Sequence, residues 1–211
     1  MYTLFDVNTW NRREAYHFFK SYNDPYVDAT VEIDVSPLYS YCKQHHVSFA
    51  YATLWVAMKI CNEVDNFRLR MVGDEVRLYN EVHAGQTIGY EDGTYTNAFF
   101  RYYPDMEEFC LRSREHVAER KSGPKEHEAR TESPDMIHTS ILPWLSFLSV
   151  KNPRRDPHDS IPKINFGKAS LRENGKRVMP VALSVHHSLM DGYQLGVFFN
   201  RYQEIIDRLR V

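Results

Sequence analysis

The stretch Val185-His186-His187-Ser188-Leu189-Met190-Asp191-Gly192 joins an apolar run to the last helical pattern of the chain. Upstream, Val178 to His186 reads as a strand. Downstream, Leu195, Phe198, Phe199, Tyr202, Ile205, Ile206 and Leu209 step by threes and fours, the spacing of one helix face. Alternate strand residues share a face, so Val181, Leu183, Val185 and His187 point one way and Ala182, Ser184 and His186 the other. The two histidines therefore point apart if the strand continues that far, and a metal site using both needs the strand to break between them. Asp191 precedes Gly192, with Gln194 three residues on, which is a capping-box pattern.

Three readings stay open on spacing alone. A histidine at a strand-to-helix junction can take and return a proton near neutral pH. It can equally be a hydrogen-bonded core residue, with Asp191 only a helix cap. A His-His-x3-Asp metal site is weaker, because further ligands would have to come from His138 and His158 far away in sequence.

Working outward, Trp10 to Lys20 reads as a helix. Val31 to Val35 alternates as a strand, and Ser36-Pro37 opens a helix from Leu38 to Gln44, with Ser36 as its cap. Ser48 opens a strongly apolar helix to Val64. Phe67–Val72 and Glu75–Tyr79 flank Gly73-Asp74 as a hairpin. Strands are expected over Ala84–Tyr90 and Thr94–Tyr103, then a helix from Pro104 to Lys121. Ser122 to Pro134 is polar loop, Ile137 to Val150 strand, and Asn152 to Pro162 loop, with three prolines and four charged residues. Ile164–Ser170 and Val178–His186 bracket a turn at Glu173 to Lys176. Helices and strands do not alternate regularly. That predicts an α+β fold, a two-layer sandwich with a mixed sheet covered by helices, over one domain spanning 1–211.

The 211 residues are 43% hydrophobic, enough for a sizeable core, and carry a formal net charge of −2. Charge is spread along the chain apart from Arg154-Arg155, which argues against nucleic acid or an anionic membrane as partner. No apolar run approaches the ~20 residues of a membrane span, and the first residues lack the pattern of a signal peptide. Cys42, Cys61 and Cys110 are widely spaced, which fits a reducing cytoplasm. The 14 Tyr, 12 Phe and 3 Trp suit an aromatic core or an aromatic-lined pocket.

His186-His187-Ser188-Leu189-Met190-Asp191-Gly192 resembles the HHxxxDG signature of the coenzyme A-dependent acyltransferases. Phe5-Asp6-Val7-Asn8-Thr9-Trp10-Asn11-Arg12-Arg13-Glu14 and Ser140-Ile141-Leu142-Pro143-Trp144 look like segments of one branch, the chloramphenicol acetyltransferase family. The chain length, and a signature about 20 residues from the C-terminus, also match that family, so the resemblance spans nearly the whole chain.

This resemblance implies acetyl transfer from acetyl-CoA, without a metal, to a hydroxyl of the antibiotic chloramphenicol, and so antibiotic resistance. The alternatives are another small hydroxylated acceptor, or an inactive ligand- or metal-binding homologue. By resemblance, His187 is the general base, with its Nδ1 proton held by its own backbone carbonyl. Ser140 stabilises the oxyanion, and Asp191 pairs with Arg12 as a structural brace. Trp144 and Lys168 match coenzyme A contacts, while Phe19, Tyr95 and Asn165 match acceptor contacts. Phe19 stands where the family commonly has tyrosine, Tyr95 where it has phenylalanine, and Asn165 where it has threonine. Lys151 to Pro162 departs from the family's apolar segment, so the specificity wall has changed. The family also implies a homotrimer with active sites between subunits, His187 from one chain and Phe19 and Ser140 from its neighbour.

Overall fold

A computed structural model describes residues 1–209. In chain order the elements are β1 (Tyr2–Leu4), α1 (Arg13–Lys20), β2 (Tyr26–Asp34), α2 (Ser36–His45), α3 (Phe49–Glu63), β3 (Leu69–Val72), β4 (Glu75–Tyr79), β5 (His83–Gly89) and β6 (Tyr95–Phe100). They continue with α4 (Met106–Ser122), β7 (Met136–Ile141), β8 (Lys163–Phe166), β9 (Ser170–Leu171), β10 (Arg177–His186) and α5 (Gly192–Asp207). The fold is α+β. Its main sheet runs β2-β10-β8-β7-β5-β6, with β9 also on β10, and is mixed: β7 is parallel to β5 and β8, while the other pairs are antiparallel. A small second sheet has the order β1-β4-β3.

One face of the main sheet is the core face. Val181, Leu183, Val185, Ile164, Phe166 and Ile137 join α3 residues Leu54, Met58 and Cys61 and α5 residues Phe198 and Tyr202 in one buried cluster. Leu54 to Met58 are all buried, so α3 has almost no polar face and runs through the interior. Ser48 caps it, its hydroxyl accepting from the Tyr51 amide.

The other face carries Ala182 and Ser184 of β10, Lys163 and Asn165 of β8, His138 and Ser140 of β7, and Thr87 of β5. The strand registers align these residues in rows: His138, Lys163 and Ser184 in one, and Ser140, Asn165 and Ala182 in the next. This face is polar, and clefts open on it.

Four local readings need correction. Helix α1 begins at Arg13 rather than Trp10, because a short 3-10 turn at Val7–Thr9 precedes it and Trp10 stays extended. Ser36 does not cap α2. Its hydroxyl donates to Asp34 and accepts from the Arg177 amide, while Val35 holds the cap position. The strand begun at Ile137 stops at Ile141, and residues 142–150 are irregular around Pro143, which has no amide hydrogen for a ladder. The strand expected over Ile164–Ser170 breaks at Gly167. A Cβ there would lie 2.5 Å from Pro180 Cγ and 2.9 Å from the Leu145 carbonyl, so only glycine lets these segments meet.

Candidate active site

The end of β10 is bent into a tight turn. The Leu189 and Met190 amides both donate to the His186 carbonyl, at 3.0 and 3.1 Å, and the His187 amide donates to the Pro25 carbonyl at 2.7 Å. The histidine side chains separate. His186 is 1% exposed, its Nε2 donating to the Pro157 carbonyl at 2.9 Å and its Nδ1 accepting from the Ser188 amide at 3.2 Å. Burial pushes His186 down to about 4, against the upward pull of the Pro157 carbonyl, so it is neutral at pH 7.

His187 has a different environment. Its Nδ1 lies 3.2 Å from the Met190 carbonyl. A carbonyl can only accept, so Nδ1 carries the proton and Nε2 keeps its lone pair. The structure places the Met190 carbonyl on Nδ1, where the resemblance implies the residue's own carbonyl, because the turn carries the chain back under the ring. Nε2 has no partner among the described residues. Phe19 stacks on the imidazole with centroids 3.7 Å apart and planes 8° from parallel. Phe19 and His187 thus meet within one chain, which corrects the expectation that Phe19 comes from a neighbour.

Asp191 caps α5 in a full capping box with Gln194. Its other oxygen pairs with Arg12 Nη1, while Arg12 Nη2 lies 3.3 Å from the His187 carbonyl. The guanidinium thus ties the base of α5 to the turn that carries His187. Burial pushes the Asp191 carboxyl up, but the Tyr193 amide and Arg12 more than offset this and hold it below the usual carboxylate value.

Ser140 lies elsewhere on the sheet. It lines a cleft of about 430 Å³ with Thr87, Tyr95, Asn152 and Asn165, and His187 is not part of that lining. Ser140 Oγ is 3.3 Å from Thr87 Oγ1. Asn165, its register partner on β8, is 3% exposed, and its Nδ2 is buried without a partner among the described residues. Tyr95 stands at the rim, 62% exposed. Trp144 and Lys168 are both exposed, and the Lys168 amide donates to the Leu145 carbonyl, so the two segments adjoin. The chain therefore brings together Arg12, Phe19, His187 and Asp191 at one place and Tyr95, Ser140 and Asn165 at another. Thr87 and the Met190 carbonyl were not foreseen, since one depends on strand pairing and the other on turn geometry. Among the described residues no three His, Cys, Asp or Glu side chains form a group able to hold a metal.

A profile of the chloramphenicol acetyltransferase family matches residues 1–203. The chain belongs to this family. Chloramphenicol acetyltransferase of Proteus mirabilis is 26% identical over 208 residues, covering 96% of this chain and 93% of the relative. That of Clostridium perfringens is 28% identical over 207 residues, covering 96% and 97%. A solved chloramphenicol acetyltransferase structure superposes with a TM-score of 0.88 at 27% identity, covering 98% of this chain and all of the other. Members of this family are acyltransferases, and the chain is an enzyme of that type. No helix among the described residues is long and apolar enough to cross a membrane.

Proposed function

We propose that this acyltransferase moves the acetyl group of acetyl-CoA to a hydroxyl of chloramphenicol, conferring resistance, and works as a cytoplasmic homotrimer of single-domain chains. The observation that carries the reading is the state of His187, with Nδ1–H held by a carbonyl and Nε2 free. Nε2 takes the proton of the acceptor hydroxyl as its oxygen bonds to the thioester carbon. The carbonyl π pair moves onto oxygen, where the Ser140 hydroxyl donates to it. Collapse breaks the C–S bond, and the imidazolium returns its proton to the thiolate, leaving ester and free coenzyme A thiol. A positioned base contributes roughly 10²–10⁴-fold, and one oxyanion donor ~2.7–4 kcal/mol.

The separation of the Ser140 cleft from His187 supports a shared site, in which His187 of one subunit enters the cleft of the next. Phe19 travels with His187 and lies over one side of the acceptor. Exposed Trp144 and Lys168 suit the donor, the indole as an apolar face and the ammonium as a point charge for phosphate. The three buried free cysteines fit a reducing compartment.

The test is release of coenzyme A thiol from acetyl-CoA with chloramphenicol as acceptor. Wild type should release thiol and His187→Ala should not, while circular dichroism stays unchanged. Thiol release by His187→Ala at the wild-type rate would refute the assignment.

A further inference from the structure

Two clefts share the open face of the sheet. The cleft of Ser140 adjoins a larger one of about 740 Å³, and both are lined by Asn97, Glu132, His138, Pro153 and Lys163. The acetylated hydroxyl lies beside the acetyl carbon whose oxyanion Ser140 stabilises, so an acceptor seated in this cleft can extend along His138 and Lys163. These two are register partners, one row from Ser140 and Asn165 on the same face. A row is two residues of strand, ~7 Å.

The row is polar, and its members differ in what they can offer. Lys163 is already engaged: its ammonium pairs with Asp159 at 3.0 Å and donates to the Pro153 carbonyl at 2.8 Å. Arg154 is likewise held, donating to the Ile161 carbonyl and to Ser184 Oγ, each at 2.6 Å. His138 is held at one end only. Its Nε2 lies 3.2 Å from the Thr131 carbonyl, so that nitrogen carries the hydrogen. Burial pushes its pKa down and disfavours the imidazolium, which leaves Nδ1 with a lone pair. Nδ1 has no hydrogen-bond partner among the described residues, while the ring lines both clefts.

We propose that His138 is a specificity-determining residue, whose Nδ1 accepts a hydrogen bond from a second hydroxyl or amine of the acceptor about one strand row (~7 Å) from the acetylated oxygen. The preferred acceptor is thus a diol or amino alcohol with its two polar groups about that far apart. This rests on the proposed acetyltransfer at the Ser140 cleft and names the acceptor class for it. A site built to bond a polar group discriminates strongly against an analogue that lacks it, since its own polar atom is then left unpaired.

The test uses 1,4-benzenedimethanol, its monomethyl ether and chloramphenicol as acceptors for thiol release. The ether presents one reactive hydroxyl and no second donor, whereas either of the diol's two equivalent hydroxyls can react while the other donates, a statistical advantage of only about twofold. The diol should exceed the ether in kcat/KM by roughly tenfold or more, mostly through KM. His138→Gln places an amide nitrogen where Nε2 donates to Thr131 but removes the Nδ1 acceptor, and should reduce the preference to that statistical factor. His138→Asn keeps a polar atom at the Nδ1 position and should restore part of it. Equal kcat/KM per hydroxyl for diol and ether, or a per-hydroxyl preference that survives in His138→Gln, would overturn the inference while leaving acetyltransfer intact. No thiol release with any of the three acceptors would overturn acetyltransfer and the inference together.

Discussion

The ring of Phe19 lies flat against the imidazole of His187, 3.7 Å between centroids, and this stack joins α1 to the turn after β10. With the Met190 carbonyl on Nδ1, it fixes both the tilt of the imidazole and its tautomer. Centroids this close leave little offset, so the stack sits at or below the low end of the ~0.5–1.5 kcal/mol that offset and edge-to-face aromatic pairs contribute beyond area burial. Phe19→Ala should therefore lower kcat about twofold by loosening the base, whereas Phe19→Tyr should keep the stack and most of the activity. Steady-state kcat and KM for both variants check this. Unchanged kcat in Phe19→Ala would remove the ring from the mechanism.

The Arg12–Asp191 pair should act on His187 through position rather than charge alone. The Asp191 side chain is 33% exposed and that of Arg12 15%, so the pair is weaker than a fully buried one. Asp191→Ala also removes the cap of α5, about 1 kcal/mol. A double-mutant cycle of Arg12→Ala and Asp191→Ala should give a coupling of ~1–2 kcal/mol in urea denaturation. Both single variants should lose kcat. Additive stabilities would show that the two side chains do not act together.

Gly167 sets the approach of the Pro143–Phe147 segment to β10. Any Cβ meets Pro180 Cγ at 2.5 Å and Phe147 Cε1 at 2.9 Å. Gly167→Ala should destabilise by about 1–3 kcal/mol and raise KM for acetyl-CoA, because Trp144 and Lys168 lie on the displaced segments. Thermal melting and donor KM test this. A variant with wild-type values in both would show that the contact relaxes freely.

Acid should destabilise the fold well above the carboxylate range. Burial holds His186 and His83 each at about 4, while an unfolded histidine titrates near 6.5. Between those values the unfolded chain binds more protons, so stability rises with pH there. It is fully present above about 6.5 and is lost as pH falls toward 4. Urea midpoints at pH 7.5, 6.0 and 5.0 should fall in that order. A flat series would contradict the buried, neutral state of these histidines.

What the sequence revealed depends on how local each signal is. The cap and helix at Asp191–Gln194 and the hairpin at Gly73-Asp74 were legible because their causes lie within a few residues: an acidic cap, and a glycine at φ +60°. Strand β1, three exposed residues long, carries no periodicity and exists only because β4 accepts it as a partner. Strand parity separates His186 from His187 only if the strand reaches both, but β10 ends at His186, and it is the turn that sets the two side chains apart. The Met190 carbonyl was not legible either, because it lies beyond the strand on a turn closed by the His186 carbonyl. Thr87 reaches Ser140 through the parallel pairing of β5 with β7, a long-range register that no local pattern encodes.

The central claim is that His187 of one subunit serves the Ser140 cleft of another. Mixing tests it most directly: His187→Ala and Ser140→Ala chains are unfolded together, refolded at equal amounts and assayed for thiol release with acetyl-CoA and chloramphenicol. Random assembly should rebuild intact sites in about a quarter of positions, giving activity well above the sum of the separately refolded parents. Activity no greater than that sum would place both residues in a site within one chain and contradict the shared site.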